Sequence, residues 1–149
     1  MDVGKIVPPT VPTQASGRHP SLRAVIIGLA YSIVGIVFGA LAGAAATEHA
    51  CTSWRLAAWV VSGAVYATHI AYEHLRLNSL PRSVALHVAT AVAVGAFGLS
   101  VAATVHAVAI EQFRPRYLIA LVAWPAITAF PAFLVALPLS AVLARLTRR

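Results

Sequence analysis

Long apolar stretches, each closed by polar and basic residues, divide the chain into four parts. The first runs from Ala24 to Thr47, the second from Trp54 to Tyr72, the third from Val84 to Ile110 and the fourth from Tyr117 to Ala144. A helix needs ~20 apolar residues to cross the hydrocarbon core of a bilayer, and each stretch is about that length or longer. The pattern predicts an all-α membrane protein: a bundle of four transmembrane helices built over residues 24–146. Ahead of it, residues 1–23 hold Pro8, Pro9, Pro12 and Pro20 among small polar residues, without apolar periodicity, which predicts a flexible arm. A basic tail, residues 147–149, follows. Ala44-Ala45-Ala46 resembles a signal-peptidase site, but the apolar run before it is too long for a signal peptide, so an uncleaved first span is expected.

Composition agrees with this pattern. Of the 149 residues, 60% are hydrophobic and only 10% charged, where a soluble domain carries roughly a quarter charged. A single soluble domain of this size has no interior large enough for so much Ala, Val, Leu and Ile. The formal charge of +7 suggests nucleic acid at first sight. The cations, however, sit singly or in twos at the ends of apolar runs, as membrane anchors do, and this excludes nucleic acid as a partner. With the N-terminus inside, Lys5, Arg18, Arg23, Arg76, Arg82, Arg145, Arg148 and Arg149 face the cytoplasm, leaving Arg55, Arg114 and Arg116 outside. The positive-inside rule therefore places both termini in the cytoplasm. High alanine and arginine usage points to a bacterial inner membrane.

Within the first stretch, Gly35, Gly39 and Gly43 recur every fourth residue, a face on which another helix backbone can approach closely. Pro125, Pro131 and Pro138 in the fourth each remove a backbone donor and predict a bent helix. Ala45-Ala46-Thr47-Glu48-His49-Ala50 is echoed by Ala102-Ala103-Thr104-Val105-His106-Ala107, which would suit two tandem helical hairpins.

The candidate chemistry lies in the histidines. Ionisable groups inside a span usually face the bundle interior and mark a pathway or cofactor. His69 lies four residues before Glu73 on one helical face, and His87 lies at comparable depth on the next span. Such a pair from facing helices is a candidate for the axial ligation of haem b; His49 and His106 form a second candidate pair. Glu73 and His74 are candidate metal ligands. The alternative for His69 and His87 is a neutral imidazole bonded to Tyr31, Tyr66, Thr68 or Thr90. The single Cys51 excludes an internal disulfide and a cysteine-based zinc cluster, and no phosphate loop, Gly-x-Ser-x-Gly or Cys-x-x-Cys-His motif is present.

Three classes of function remain open. The least demanding is a noncatalytic accessory or structural subunit of a larger membrane complex, associating with other membrane subunits or with itself, and not an enzyme alone. The second is a haem- or metal-binding electron-transfer protein using paired histidines. The third is a small transporter or channel, against which stands the position of Glu48, Glu73 and Glu111 near span ends.

Overall fold

The computed structural model describes residues 20–77 and 80–146. It is all-helical: α1 (Pro20–Gly43), α2 (Glu48–Leu77), α3 (Pro81–Ala109) and α4 (Arg116–Leu146). Most of the expected arm, and the basic tail, lie outside the described residues. Residues 20–23 of the arm already belong to α1.

Local chemistry fixes the helix ends. α1 stops at Gly43, four residues before the end of the apolar run. Thr47 instead caps α2, its hydroxyl accepting from the Ala50 amide at 3.2 Å, with Glu48 in the first turn beside the helix N-terminus. α3 begins with Pro81 at its first turn, where a missing amide hydrogen costs no helical bond. It ends in a Schellman turn: the Glu111 amide donates to Val108 and the Gln112 amide to Ala107, with Glu111 left-handed at φ 57°. A glycine more often fills that position, because the left-handed conformation crowds a side chain.

α4 stays helical through Pro125, Pro131 and Pro138. Each proline leaves one carbonyl on the preceding turn without its usual donor. Thr128 supplies a hydroxyl to two carbonyls of this stretch, those of Trp124 at 2.9 Å and Pro125 at 3.1 Å.

α3 is the central helix, packed most closely against α4 and α1. α2 rests mainly on α1 and touches α3 and α4 lightly; among the described residues α1 and α4 do not meet. Contacts pair Gly28 with Ala91 and Val94, and Ser32 with Gly95 and Gly98, so α1 and α3 run parallel. Ser100 reaches the Ala120 carbonyl and Ser140 the Pro81 carbonyl, which makes α3 and α4 an antiparallel hairpin. Phe38 on Trp54, ring centres 6.1 Å apart, closes the α1–α2 hairpin near its turn.

Small residues hold α1 against α3, though not along the whole expected stripe. A side chain at Gly35 would strike Leu99, while at Gly39 and Gly43 it would meet nothing within 4 Å. The close approach lies further back, where Gly28 and Gly95 let the two backbones meet. There the Ser32 hydroxyl is shared between the carbonyls of Gly28 (3.2 Å) and Gly95 (3.0 Å). Interhelical hydroxyl bonds of this kind supply, in lipid, part of the attraction that water would otherwise drive.

Three helices are long and apolar enough to cross a membrane: Leu22–Gly43, Pro81–Ala109 and Arg116–Leu146. α2, at 30 residues, has the length but not the composition. The expectation of four spanning helices is therefore met by length in all four and by composition in three. α2 carries Glu48, His49, Arg55, His69, Glu73, His74 and Arg76, and along it Ser62, Tyr66, His69 and Glu73 recur at three- and four-residue intervals.

The two echoed hexapeptides adopt different structures. Ala45–Ala50 crosses the α1–α2 turn, whereas Ala102–Ala107 lies wholly within α3. Thr47 caps a helix, while Thr104 bonds back to the Ser100 carbonyl at 2.7 Å. The two hexapeptides thus differ in local structure.

Candidate functional site

The best-buried apolar cluster lies at the end of the bundle where α2 finishes and α3 begins. Ile70 of α2, Val84, Ala85 and Val88 of α3 and Ala136 of α4 form it, with Tyr66, Phe133 and Leu143 packed against it. Into this same region α2 projects Glu73, 3% exposed, along with His69 at 5% and His74 at 9%. Burying an ion costs several kcal/mol after relaxation, so a buried carboxylate needs partners.

Glu73 has two. The Nδ1–H of His87, from α3, donates to its Oε2 at 3.2 Å. Its Oε1 lies 3.9 Å from Nε2 of His69, one turn earlier on α2, a polar contact too long to be a hydrogen bond. The carboxylate thus lies between two imidazoles on different helices. His87 keeps about a third of its side chain exposed (33%), whereas His69 is enclosed at 2%. The Nδ1 of His69 is buried without a hydrogen-bond partner among the described residues. A carboxylate with two imidazoles can hold one proton at any of several nitrogen and oxygen atoms, moving it by small displacements.

Three of the four hydroxyls considered as partners for the histidines bond elsewhere. Thr68 and Thr90 bond to their own helices, at the carbonyls of Ala64 and Leu86, both at 2.8 Å. Tyr66 reaches across to α4 and donates to the Ala132 carbonyl at 2.5 Å. The Tyr31 hydroxyl is buried and has no partner among the described residues.

The other candidate residues are placed as follows. His49 and His106 are both exposed, at the opposite end of the bundle from the cluster. His69 and His87 come together, with Glu73 between them. His74 is buried beside Glu73 in sequence, but among the described residues no three His, Cys, Asp or Glu side chains converge as a metal-binding group.

A cleft of about 610 Å³ lies one turn from the cluster, between α2 and the other three helices. Tyr31, Trp59, Tyr66 and Trp124 supply its aromatic lining, and Ser62 and Thr128 its hydroxyls. Apolar run lengths alone do not reveal this feature. Its signal was the spacing Trp59, Ser62, Tyr66, His69, Glu73, which carries aromatic and polar groups down one face of an otherwise apolar helix.

Comparison of the chain with family models, curated proteins and solved structures gives no match. The geometry alone defines the class: a small helical bundle with candidate membrane spans and a buried histidine–carboxylate cluster.

Proposed function

We propose that this chain is a small polytopic membrane protein that binds and releases a proton at the His69–Glu73–His87 cluster, and that it acts as a proton-linked carrier. The observation behind this reading is the burial of Glu73 between imidazoles from two helices. The sequence objection to a transporter was that every carboxylate sits near a span end. α2 continues to Leu77, however, and Glu73 is among the most enclosed polar residues, while Glu48 and Glu111 are exposed. Intramembrane ionisable residues with partners across a bundle are characteristic of proton pathways. The helix carrying the cluster is also the least apolar and, taken over all its neighbours, the most loosely packed of the four, as suits a pathway-lining element.

In this reading the bilayer is a bacterial inner membrane, α2 completes four spans and both termini are cytoplasmic. The cluster then lies towards the cytoplasm, and Cys51 at the start of α2 lies at the outer face. Cys51 is free and partly exposed. A membrane-impermeant maleimide added to intact spheroplasts should label it to the same extent as in lysed ones. Labelling only after lysis would invert the topology.

The carrier reading is tested in proteoliposomes that trap a pH-sensitive dye, under a valinomycin-imposed potassium potential. Wild-type protein should acidify the lumen several-fold faster than Glu73→Gln protein or protein-free vesicles. Equal rates for wild type and Glu73→Gln would remove the proposal.

A second reading, a subunit of a larger membrane complex, is favoured by one observation: Gly39 and Gly43 lie on α1 with nothing within 4 Å of an added side chain. That surface suits close approach by another helix. The two readings are compatible, since a subunit can carry the proton-binding group of its complex.

A further inference from the structure

The two imidazoles beside Glu73 are not equivalent, and on the proton reading of the same cluster the difference defines a route. Only one of them faces outward. His87 keeps 33% of its side chain exposed, against 2% for His69. Nδ1 of His87 is engaged with Oε2 of Glu73 at 3.2 Å, so the shape of the ring directs its Nε2 away from the carboxylate. Nδ1 of His69, by contrast, is enclosed and has no partner among the described residues.

The approach to His87 is polar. His87 is the sixth residue after Pro81, where α3 begins, which puts it about 9 Å along the helix at ~1.5 Å per residue. Ser83, His87 and Thr90 recur at intervals of four and three and so share one face of an otherwise apolar helix. Thr90 is exposed and Ser83 partly so. α2, which carries Glu73, touches α3 only lightly. No fixed cation competes for the carboxylate: among the described residues Arg23 of α1, Arg82 of α3 and Arg145 of α4 make no ion pair with it. His74 of α2 is the remaining titratable group buried at this end.

We infer that His87 is the port of the cluster: water at the start of α3 exchanges protons with its Nε2, Glu73 is reached through this ring, and His69 is the inner station. The transfer balances without movement of an electron. A proton from water bonds to Nε2 and makes the ring an imidazolium. The Nδ1–H bond then breaks in favour of Oε2, leaving a neutral ring and a neutral carboxyl. Rotation of the carboxyl presents the proton to Nε2 of His69, now 3.9 Å from Oε1, a gap that closes by about 1 Å to reach hydrogen-bond distance.

Proteoliposomes loaded with the pH-sensitive dye test this with two replacements of His87. His87→Gln keeps an N–H donor for Glu73 but takes up no proton, so it would substitute without loss for a ring that only ties α2 to α3. His87→Ala removes the ring and opens its place to water. Uptake should slow about tenfold or more in both, as loss of a proton-transfer group implies. Imidazole on both sides of the membrane should restore much of the rate to His87→Ala. It should restore none to His87→Gln, where the place is filled, or to His69→Ala, whose site is enclosed. Protein-free vesicles with the same imidazole supply the background. Wild-type uptake by His87→Gln would overturn the port, as would imidazole that fails to speed His87→Ala or speeds His69→Ala equally. Glu73→Gln separates the two claims. Uptake lost in Glu73→Gln but unslowed in His87→Gln would keep the carrier and remove the port; uptake unchanged in Glu73→Gln would remove the carrier itself.

Discussion

Gly95→Leu is expected to unseat α1 from α3 and lower the stability of the purified protein by about 1–3 kcal/mol or more, the usual range for overpacking a close contact. The site has no slack. The first carbon of any side chain at Gly95 would lie 2.6 Å from Cβ of Tyr31 and 3.1 Å from the Gly28 carbonyl, and neither neighbour is the flexible end of a side chain. The same displacement would pull the Ser32 hydroxyl off the Gly95 carbonyl, its 3.0 Å partner. Even alanine should be felt, because the clash begins at Cβ. Gly39→Ala, with open space around it, should leave stability unchanged or slightly raised. Reversible unfolding in mixed detergent micelles, followed by tryptophan fluorescence, measures both. A Gly95→Leu protein as stable as Gly39→Ala would mean that α1 and α3 are not joined at this point.

The second large effect concerns the cluster, where the two sides should respond unequally. His87→Ala takes away the only hydrogen bond made to Glu73 by another side chain among the described residues, leaving a buried acceptor without its donor. The expected loss is about 1–3 kcal/mol, the lower part of the range if water enters where the partly exposed His87 ring stood. Glu73→Leu should cost less, since it replaces the buried charge with an apolar side chain of similar size and leaves His87 able to turn to water. Both variants should lose proton uptake. Stability and function thus separate: Glu73→Leu is the folded but inactive variant, and His87→Ala is weakened in both respects.

How far the sequence carried this picture depends on which physical signal was being read. Helix number and approximate length followed from apolar run length, which the bilayer enforces. Helix ends were displaced where a polar residue did local work: Thr47 closed the first apolar run on paper but caps α2 in the structure. The pairing of His69 with His87 was visible because antiparallel neighbours bring them to one depth and Glu73 shares the His69 face. The burial of Glu73 was not legible, because the end of an apolar run does not fix where the helix meets water; α2 extends past Tyr72 to Leu77 and keeps the carboxylate inside. The glycine face was legible as a composition but not as a contact. Which of Gly28, Gly35, Gly39 and Gly43 meets α3 depends on the crossing point of two helices, and α1 alone does not contain that information. The cleft was missed for a similar reason, since it arises from the loose packing of α2 on three other helices.

The most direct measurement of the central claim is a pH-induced infrared difference spectrum of the protein in lipid, with Glu73→Gln beside it. The account predicts a protonated-carboxyl stretch that rises on acidification in wild type, shifts in frequency in His87→Ala and disappears in Glu73→Gln. A wild-type spectrum identical to that of Glu73→Gln would show that Glu73 exchanges no proton, and the carrier reading would fall with it.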